Sequence, residues 1–249
     1  WMDTQFPAGT PREGYPIEIQ ALWCSALGFL GRIDEDSTGG RWRDLAERVR
    51  SSLTDLFWME EFGYLSDCLY APPGHPPESF AVDDALRPNQ LLAITLGAVE
   101  DKERCREVLA SCGALLVPGA IRSLADRPVR RPLEIWHQNK PLNDPHHPYW
   151  GSYTGDEDTH RKPAYHNGTA WTWPFPAFCE AWAMVYGDSG RETARSLLTS
   201  ASILINEGCI GQVPEIVDGD YPHTQRGCDA QAWGVSELWR VWIKLNAKT

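Results

Sequence analysis

Apolar residues recur at helical spacing in seven segments of the chain, and these segments are of two kinds. Four are apolar around most of their circumference, whereas three carry a single apolar stripe with polar residues outside it. The first kind comprises residues 17–30, 88–97, 170–186 and 230–243, and the second comprises 41–57, 101–112 and 191–206. A helix that is apolar all round is buried on both sides. The alternation therefore predicts an all-α fold in two concentric layers, an α/α toroid in whole or in part.

The long loops of the chain fall just before the fully apolar helices, so we expect them to gather at one end of an inner ring. The longest, residues 117–162, contains six prolines and four histidines. A loop of this length inside a domain is usually functional or disordered. Its aromatic residues Trp136, Tyr149, Trp150 and Tyr153 favour an ordered, functional loop.

Composition narrows the class of ligand. The net charge of −11 argues against nucleic acid and against an anionic membrane surface. Twelve tryptophans in 249 residues favour stacking platforms for flat ligands, and the apolar faces of neutral sugar rings suit such platforms. The seven cysteines are odd in number and include no Cys-x-x-Cys pair, which favours a reducing compartment such as the cytoplasm.

Two of these predicted loops carry candidate catalytic carboxylates. Glu215, Asp218 and Asp220 lie within six residues, between Pro214 and Pro222, and Asp3 follows Trp1 and Met2. Glycoside hydrolysis uses such a pair, one carboxyl as acid and the other as base or nucleophile. The apolar residues before Asp3 are expected to desolvate it and raise its pKa, as an acid requires. The candidate sugar-binding residues around them are Trp1, Arg12, Arg87, Asn89, Gln90, Arg122, His166, Trp171, Trp173, Gln231 and Trp233.

Five blocks of the sequence together resemble the glycogen debranching enzymes. They are WMD (1–3), TPREGYPIEIQALW (10–23), RPNQLLAI (87–94), YHNGTAWTW (165–173), and GQVPEIVDGD with RGCDAQAW (211–233). The chain is similar to their amylo-α-1,6-glucosidase catalytic domain over nearly its whole length. The resemblance implies an (α/α)6 barrel, a six-hairpin glycosidase, which releases glucose from α-1,6 branch points of glycogen with inversion. It implies no metal or other cofactor.

The resemblance also implies roles for single residues. Asp3 would be the general acid and Glu215 the general base, with their carboxyl groups roughly 6.5–9.5 Å apart, as inversion requires. The residues that would line the sugar subsite are Arg12, Glu18, Arg87, Asn89, His166, Trp171, Asp218 and Gln231.

A complete barrel of this kind has about twelve helices, whereas the sequence predicts seven. We therefore expect residues 1–249 to form one catalytic domain that is the C-terminal portion of a barrel, with the N-terminal helices missing. Its exposed apolar surface would favour self-association, and the isolated chain could be inactive.

Three other interpretations stay open. One is a glucoamylase- or trehalase-like glycosidase, and another is a non-catalytic glucan-binding fragment. The third, a metal site at His146, His147, Asp156 and Asp158, matches no ligand spacing.

Overall fold

A computed structural model of the protein describes residues 1–2, 4, 9–10, 12–34, 39–71 and 80–247. The described chain is mostly helical with small antiparallel sheets, as the hydrophobic pattern predicts for the helices. It divides into a larger unit, residues 1–11, 85–88 and 112–249, and a smaller unit, residues 12–84 and 89–111. The predicted general acid, Asp3, lies outside the described residues. The partial α/α barrel and the single domain stay predictions.

The smaller unit is built around its first helix. Its helices are α1 (Ile17–Ile33), α2 (Gly39–Ser52), α3 (Leu91–Thr95) and most of α4 (Lys102–Gly113). Its strands are β1 (Gly14–Pro16), β2 (Trp58–Met59), β3 (Tyr64–Leu65), β4 (Cys68–Tyr70) and β5 (Ala81–Val82). Helix α1 packs against α2 and α3, and it buries Ile17, Ala21, Cys24 and Leu27 at intervals of three and four residues. Strand β4 pairs with β1 and β5, which fixes the chain just before α1.

The larger unit joins short helices and strands to two long helices. Its helices are α5 (Lys162–Tyr165), α6 (Phe175–Thr199), α7 (Ser202–Ile205) and α8 (Ala232–Asn246). Its strands are β6 (Leu116–Val117), β7 (Ala120–Arg122), β8 (Trp136–His137), β9 (Lys140–Pro141), β10 (Ala170–Trp171), β11 (Ile216–Val217) and β12 (Gln225–Arg226). Helix α8 packs against α6, where the buried Glu180 accepts from Arg240 and Lys244, both at 2.5 Å.

A five-stranded antiparallel sheet in the order β12-β11-β10-β7-β6 organises the middle of the larger unit. Strand β10 lies between β7 and β11, and Ala170 is paired with Arg122 on one side and Val217 on the other. Trp171 is opposite Ile216, the residue that follows Glu215. The sheet therefore brings the block 165–173 and the carboxylate loop side by side.

Each of the seven predicted segments contains a helix, but the ends differ, and the segment 191–206 is divided between the end of α6 and α7. Residues 170–171 are a strand, so the segment expected as helix 170–186 begins only at Phe175. Gly187 has φ 62° and ψ −143°, which interrupts α6 at the position where the sequence predicts a helix end. The segment 88–97 contains a 3-10 turn, Pro88–Gln90, and the short α3. The sequence analysis missed the two- and three-residue strands because they are too short to show an alternating pattern.

The expectation that the fully apolar helices are buried on both sides is wrong for α1 and α8. In α1, Trp23 and Phe29 are 50% and 53% exposed, and in α8, Trp239 and Trp242 are 63% and 45% exposed. An incomplete ring predicts exposed apolar surface of this kind. The self-association that would follow from it stays a prediction. None of the described helices is long and apolar enough to cross a membrane.

Candidate active site

Glu215 lies directly before β11 in the larger unit, is half-buried, and accepts hydrogen bonds from three of the described residues. Its Oε1 accepts from the Tyr165 hydroxyl at 2.6 Å and from Gln231 Nε2 at 3.1 Å. Its Oε2 accepts from the backbone N–H of Cys228 at 3.1 Å. An ionised carboxylate is an acceptor on both oxygens, so Glu215 matches these three donors as a carboxylate. That arrangement fits a base better than an acid.

The three donors come from three separate segments. Tyr165 is the last residue of α5, Cys228 follows β12, and Gln231 is the residue directly before α8. The backbone also fixes Glu215, whose N–H donates to Cys228 O at 2.8 Å and whose carbonyl accepts from the N–H of Thr172 at 3.3 Å. The carboxylate is therefore held between elements whose positions the sheet and α8 determine.

Four described aromatic rings lie around Trp1 in the same unit, and together the five form what we call the aromatic cluster: Trp1, His166, Trp171, Trp173 and Trp233. Trp1 meets Trp171 and Trp173 edge-on with ring centroids 5.0 Å apart. His166 stacks on Trp171 at 5.0 Å, and Trp173 stacks on Trp233 at 4.9 Å. Tyr165, with its ring 4.8 Å from that of Trp171, connects the cluster to Glu215.

Burial divides the cluster into two groups. His166 and Trp171 are 0% and 2% exposed, so they form its packed interior. Trp1 and Trp173 are half-buried and Trp233 is exposed, so their rings can meet a ligand. An aromatic face beside a fixed carboxylate suits the apolar face of a sugar ring.

Arg87 is buried next to the aromatic cluster and does not face solvent. It is 1% exposed, and its guanidinium donates to Ser123 O at 3.1 Å, to Asn167 Oδ1 at 2.9 Å and to His166 O. The predicted sugar contact Arg87 therefore binds the block 165–173, which carries Tyr165 and His166.

Asp218 and Arg122 likewise bind protein groups around the carboxylate loop. Asp218 is 5% exposed, and its oxygens accept from Tyr153 N–H at 2.7 Å and from Arg226 Nε at 3.0 Å. Arg122 Nε donates to Gly219 O at 2.9 Å. Both residues thus hold the segment that follows Glu215.

Four predicted site residues lie in the smaller unit: Arg12, Glu18, Asn89 and Gln90. Arg12 pairs with both oxygens of Glu18 at 2.7 Å and with Asp67 Oδ2 at 2.7 Å. Asn89 donates to Asp67 Oδ1 at 2.8 Å, and Gln90 Oε1 accepts from Leu65 N–H at 3.0 Å.

The charge on Arg12 is maintained by these partners. Burial by itself lowers the pKa of Arg12. The charge of Asp67 and the hydrogen bond to Glu18 outweigh burial and raise this pKa well above its usual range. The guanidinium is thus held cationic inside a network of two carboxylates.

Sequence reasoning missed Tyr165 and Cys228 as partners of Glu215, and Asp67 as the partner of Arg12. Tyr165 lies next to His166 inside a block that the resemblance had singled out, and this was the available signal. Asp67 and Cys228 had no comparable signal.

The histidines and aspartates of the suggested metal site have other partners. His146 Nδ1 is 3.1 Å from Val129 O, and His147 Nε2 is 3.1 Å from Asp126 Oδ1. Asp156 accepts from the N–H groups of Asp158 and Thr159 at the start of a helical turn. Among the residues that the structure describes, no three His, Cys, Asp or Glu side chains are grouped as metal ligands.

Comparison with known proteins assigns the family. A sequence model described as amylo-alpha-1,6-glucosidase matches residues 1–240 of the chain. A comparison with curated proteins found no match. The family match covers nearly the whole chain, including Glu215 and its three donors. The chain belongs to the amylo-alpha-1,6-glucosidase family, a family of glycoside hydrolase-like domains.

Proposed function

We propose that this chain hydrolyses the α-1,6 bond at branch points of a glycogen-like glucan and releases glucose with inversion. The observation that carries the proposal is the carboxylate of Glu215, fixed by three donors and connected through Tyr165 to the aromatic cluster. The family match supports the substrate class. The alternating helices of the sequence support the barrel that such an enzyme would use.

In this mechanism Glu215 is the general base and Asp3 the general acid. Glu215 takes a proton from a water molecule, and the water oxygen bonds to the anomeric carbon on the face opposite the leaving group. The glycosidic bond breaks, and its electron pair stays on the leaving oxygen, which takes the proton of Asp3. Inversion requires room for the water between the two carboxyl groups, which are then roughly 6.5–9.5 Å apart.

The predicted sugar contacts divide into two roles under this proposal. Trp1, Trp173 and Trp233 are accessible rings that can stack on glucose, and Gln231 is within reach of the base. Arg87, Arg122 and Asp218 donate to or accept from protein groups, which supports a role in shaping the site. The free cysteines, five of them buried, support a reducing compartment such as the cytoplasm. No cofactor is needed for this chemistry.

Glucose release from a branched limit dextrin tests the proposal, with linear maltooligosaccharides as the comparison substrate. We expect release from the limit dextrin alone, with β-glucose as the first anomer seen by NMR. Glu215→Gln and Asp3→Asn should each lower the rate by at least about 10²-fold without unfolding the chain. Glu207→Gln, at an exposed glutamate of the preceding loop, is the control and should leave the rate unchanged.

Three results would contradict the proposal. Equal release from linear substrates would favour a glucoamylase-like enzyme. First release of α-glucose would exclude inversion. Glucan binding without glucose release would favour a non-catalytic glucan-binding fragment.

A further inference from the structure

We infer that Tyr165 and Gln231 are positioning residues that hold Glu215 by its Oε1, so that Oε2 is the oxygen that takes the proton from water. The inference rests on the proposed role of Glu215 as a base. It adds two residues to the reaction and assigns the proton transfer to one atom.

Tyr165 is a fixed donor because its backbone and its ring are both held. Its carbonyl accepts from Trp171 Nε1 at 2.8 Å and from the Thr169 hydroxyl at 2.6 Å. Its ring centroid lies 4.6 Å from that of His166 and 4.8 Å from that of Trp171. The 2.6 Å hydrogen bond to Glu215 is short for a hydroxyl donor, as expected when the acceptor is ionised.

Gln231 donates to the same oxygen, Oε1. It follows Glu215 in the sequence, whereas Tyr165 precedes it. Its backbone N–H donates to Val213 O at 3.0 Å, two residues before Glu215. Although Gln231 is the cap residue of α8, its side chain makes no capping hydrogen bond. The side-chain amide is thus directed to Glu215, and its removal does not uncap the helix.

The two carboxylate oxygens therefore differ. Oε1 accepts from a phenol and an amide, whereas in the described part of the chain Oε2 accepts from one backbone N–H. Each hydrogen bond donor draws electron density from the oxygen that it contacts, so Oε2 is the more basic of the two. The residue that borders Oε2 is Gly227, which has no side chain to cover it.

The proton transfer follows from this difference. Oε2 accepts one proton of the water, the water oxygen forms the bond to the anomeric carbon, and the leaving oxygen takes the proton of the general acid. Tyr165 and Gln231 stay hydrogen-bonded to Oε1 throughout, so the carboxyl group does not rotate when its charge is lost.

Kinetics of Tyr165→Phe and Gln231→Leu test the inference, with Tyr186→Phe on α6 as the control for loss of a phenol. Each site variant should lower kcat about 10- to 100-fold with KM changed by less than about twofold. The acidic limb of the pH profile should move to higher pH by about one unit, because a hydrogen bond to a charged group is lost. The control should show neither effect. A raised KM with an unchanged kcat and pH profile would overturn the inference, since the residues would then be sugar contacts.

A second measurement does not depend on catalysis. The carboxyl carbon of Glu215 is followed by 13C NMR during a pH titration, and its signal is assigned by its loss in Glu215→Gln. The titration midpoint should move to higher pH in Tyr165→Phe and in Gln231→Leu relative to the unchanged chain. An identical midpoint in all of them would overturn the inference. If the unchanged chain releases no glucose, the proposed function fails while this titration still decides the positioning role.

Discussion

Gly227 lies against the carboxylate of Glu215, so that a Cβ atom at residue 227 would overlap Oε2. The φ angle of Gly227 is +68°, a left-handed conformation that residues other than glycine rarely adopt. The strand β12 ends at Arg226 and the donor Cys228 follows, so this glycine turns the chain directly beside the proposed base.

Gly227→Ala is expected to displace Glu215 as well as strain the backbone. Gly211→Ala is a matched control, because Gly211 also has a positive φ, +82°, but a Cβ there would meet no atom of the described residues within 4 Å. Both variants should lose about 1 kcal/mol or more of the free energy of unfolding. Only Gly227→Ala should also lose at least about 10-fold in glucose release. Equal activity of the two variants would show that Glu215 tolerates the movement.

The Glu180 cluster predicts a pH dependence of stability. Burial by itself raises the pKa of Glu180, but the hydrogen bonds from Arg240 and Lys244 outweigh burial and lower it below 4.5, its ordinary value. A lowered pKa in the folded state means that the contribution is complete above about pH 4.5 and is lost as the pH falls through the folded pKa.

Urea unfolding between pH 7 and pH 3 tests this expectation with Glu180→Gln. At neutral pH the variant should lose about 1–2 kcal/mol, the lower end for charged hydrogen bonds, because Arg240 and Lys244 are 46% and 54% exposed and can be solvated. Its stability should then fall less steeply towards low pH. Glu192→Gln, at an exposed position of α6, should keep the original pH dependence. Parallel curves for Glu180→Gln and the unchanged chain would contradict the assignment.

Thiol reactivity should single out Cys228. Burial raises the pKa of Cys68 and Cys179 to about 12, whereas Cys228 is exposed. Iodoacetamide at about pH 8 should therefore label Cys228 first and the half-buried Cys209 more slowly, as measured by mass spectrometry of the folded chain.

Labelling of Cys228 should also lower glucose release, because its backbone N–H binds Oε2 of Glu215. Cys228→Ser provides the control and should keep its activity after the same treatment. Rapid labelling of Cys68 in the folded chain would contradict the buried position of that thiol.

Arg12 is predicted to stabilise the smaller unit more than it binds sugar. Its two hydrogen bonds to Glu18 and its ion pair with Asp67 Oδ2 use the planar fork of the guanidinium, which lysine cannot reproduce. Arg12→Lys should lower the free energy of unfolding by about 2–4 kcal/mol.

Arg43→Lys, which loses one hydrogen bond to Gly31 O, should cost less than about 1 kcal/mol in the same urea titration. If Arg12→Lys instead raises KM at unchanged stability, Arg12 is a substrate contact.

Much of this protein is determined by local sequence pattern. The apolar periodicity alone predicts the long helices, because burial of one helical face depends on residues three and four apart. Gly187 likewise marks the interruption of α6, since its conformation is set by the residue itself. The blocks around Glu215 and His166 indicate both the family and the candidate base.

Tertiary structure alone decided which residues hold Glu215, the proposed base. Tyr165 and Glu215 are 50 residues apart, and they meet because β10 pairs with β11 in a register that no local pattern specifies. Tertiary structure also showed that the hydrogen bonds of Arg87 and Asp218 go to protein groups, although their residue types equally suit a sugar. The sequence specifies which donors and acceptors a side chain carries. The fold decides which groups lie beside them, and therefore whether they bind protein or ligand.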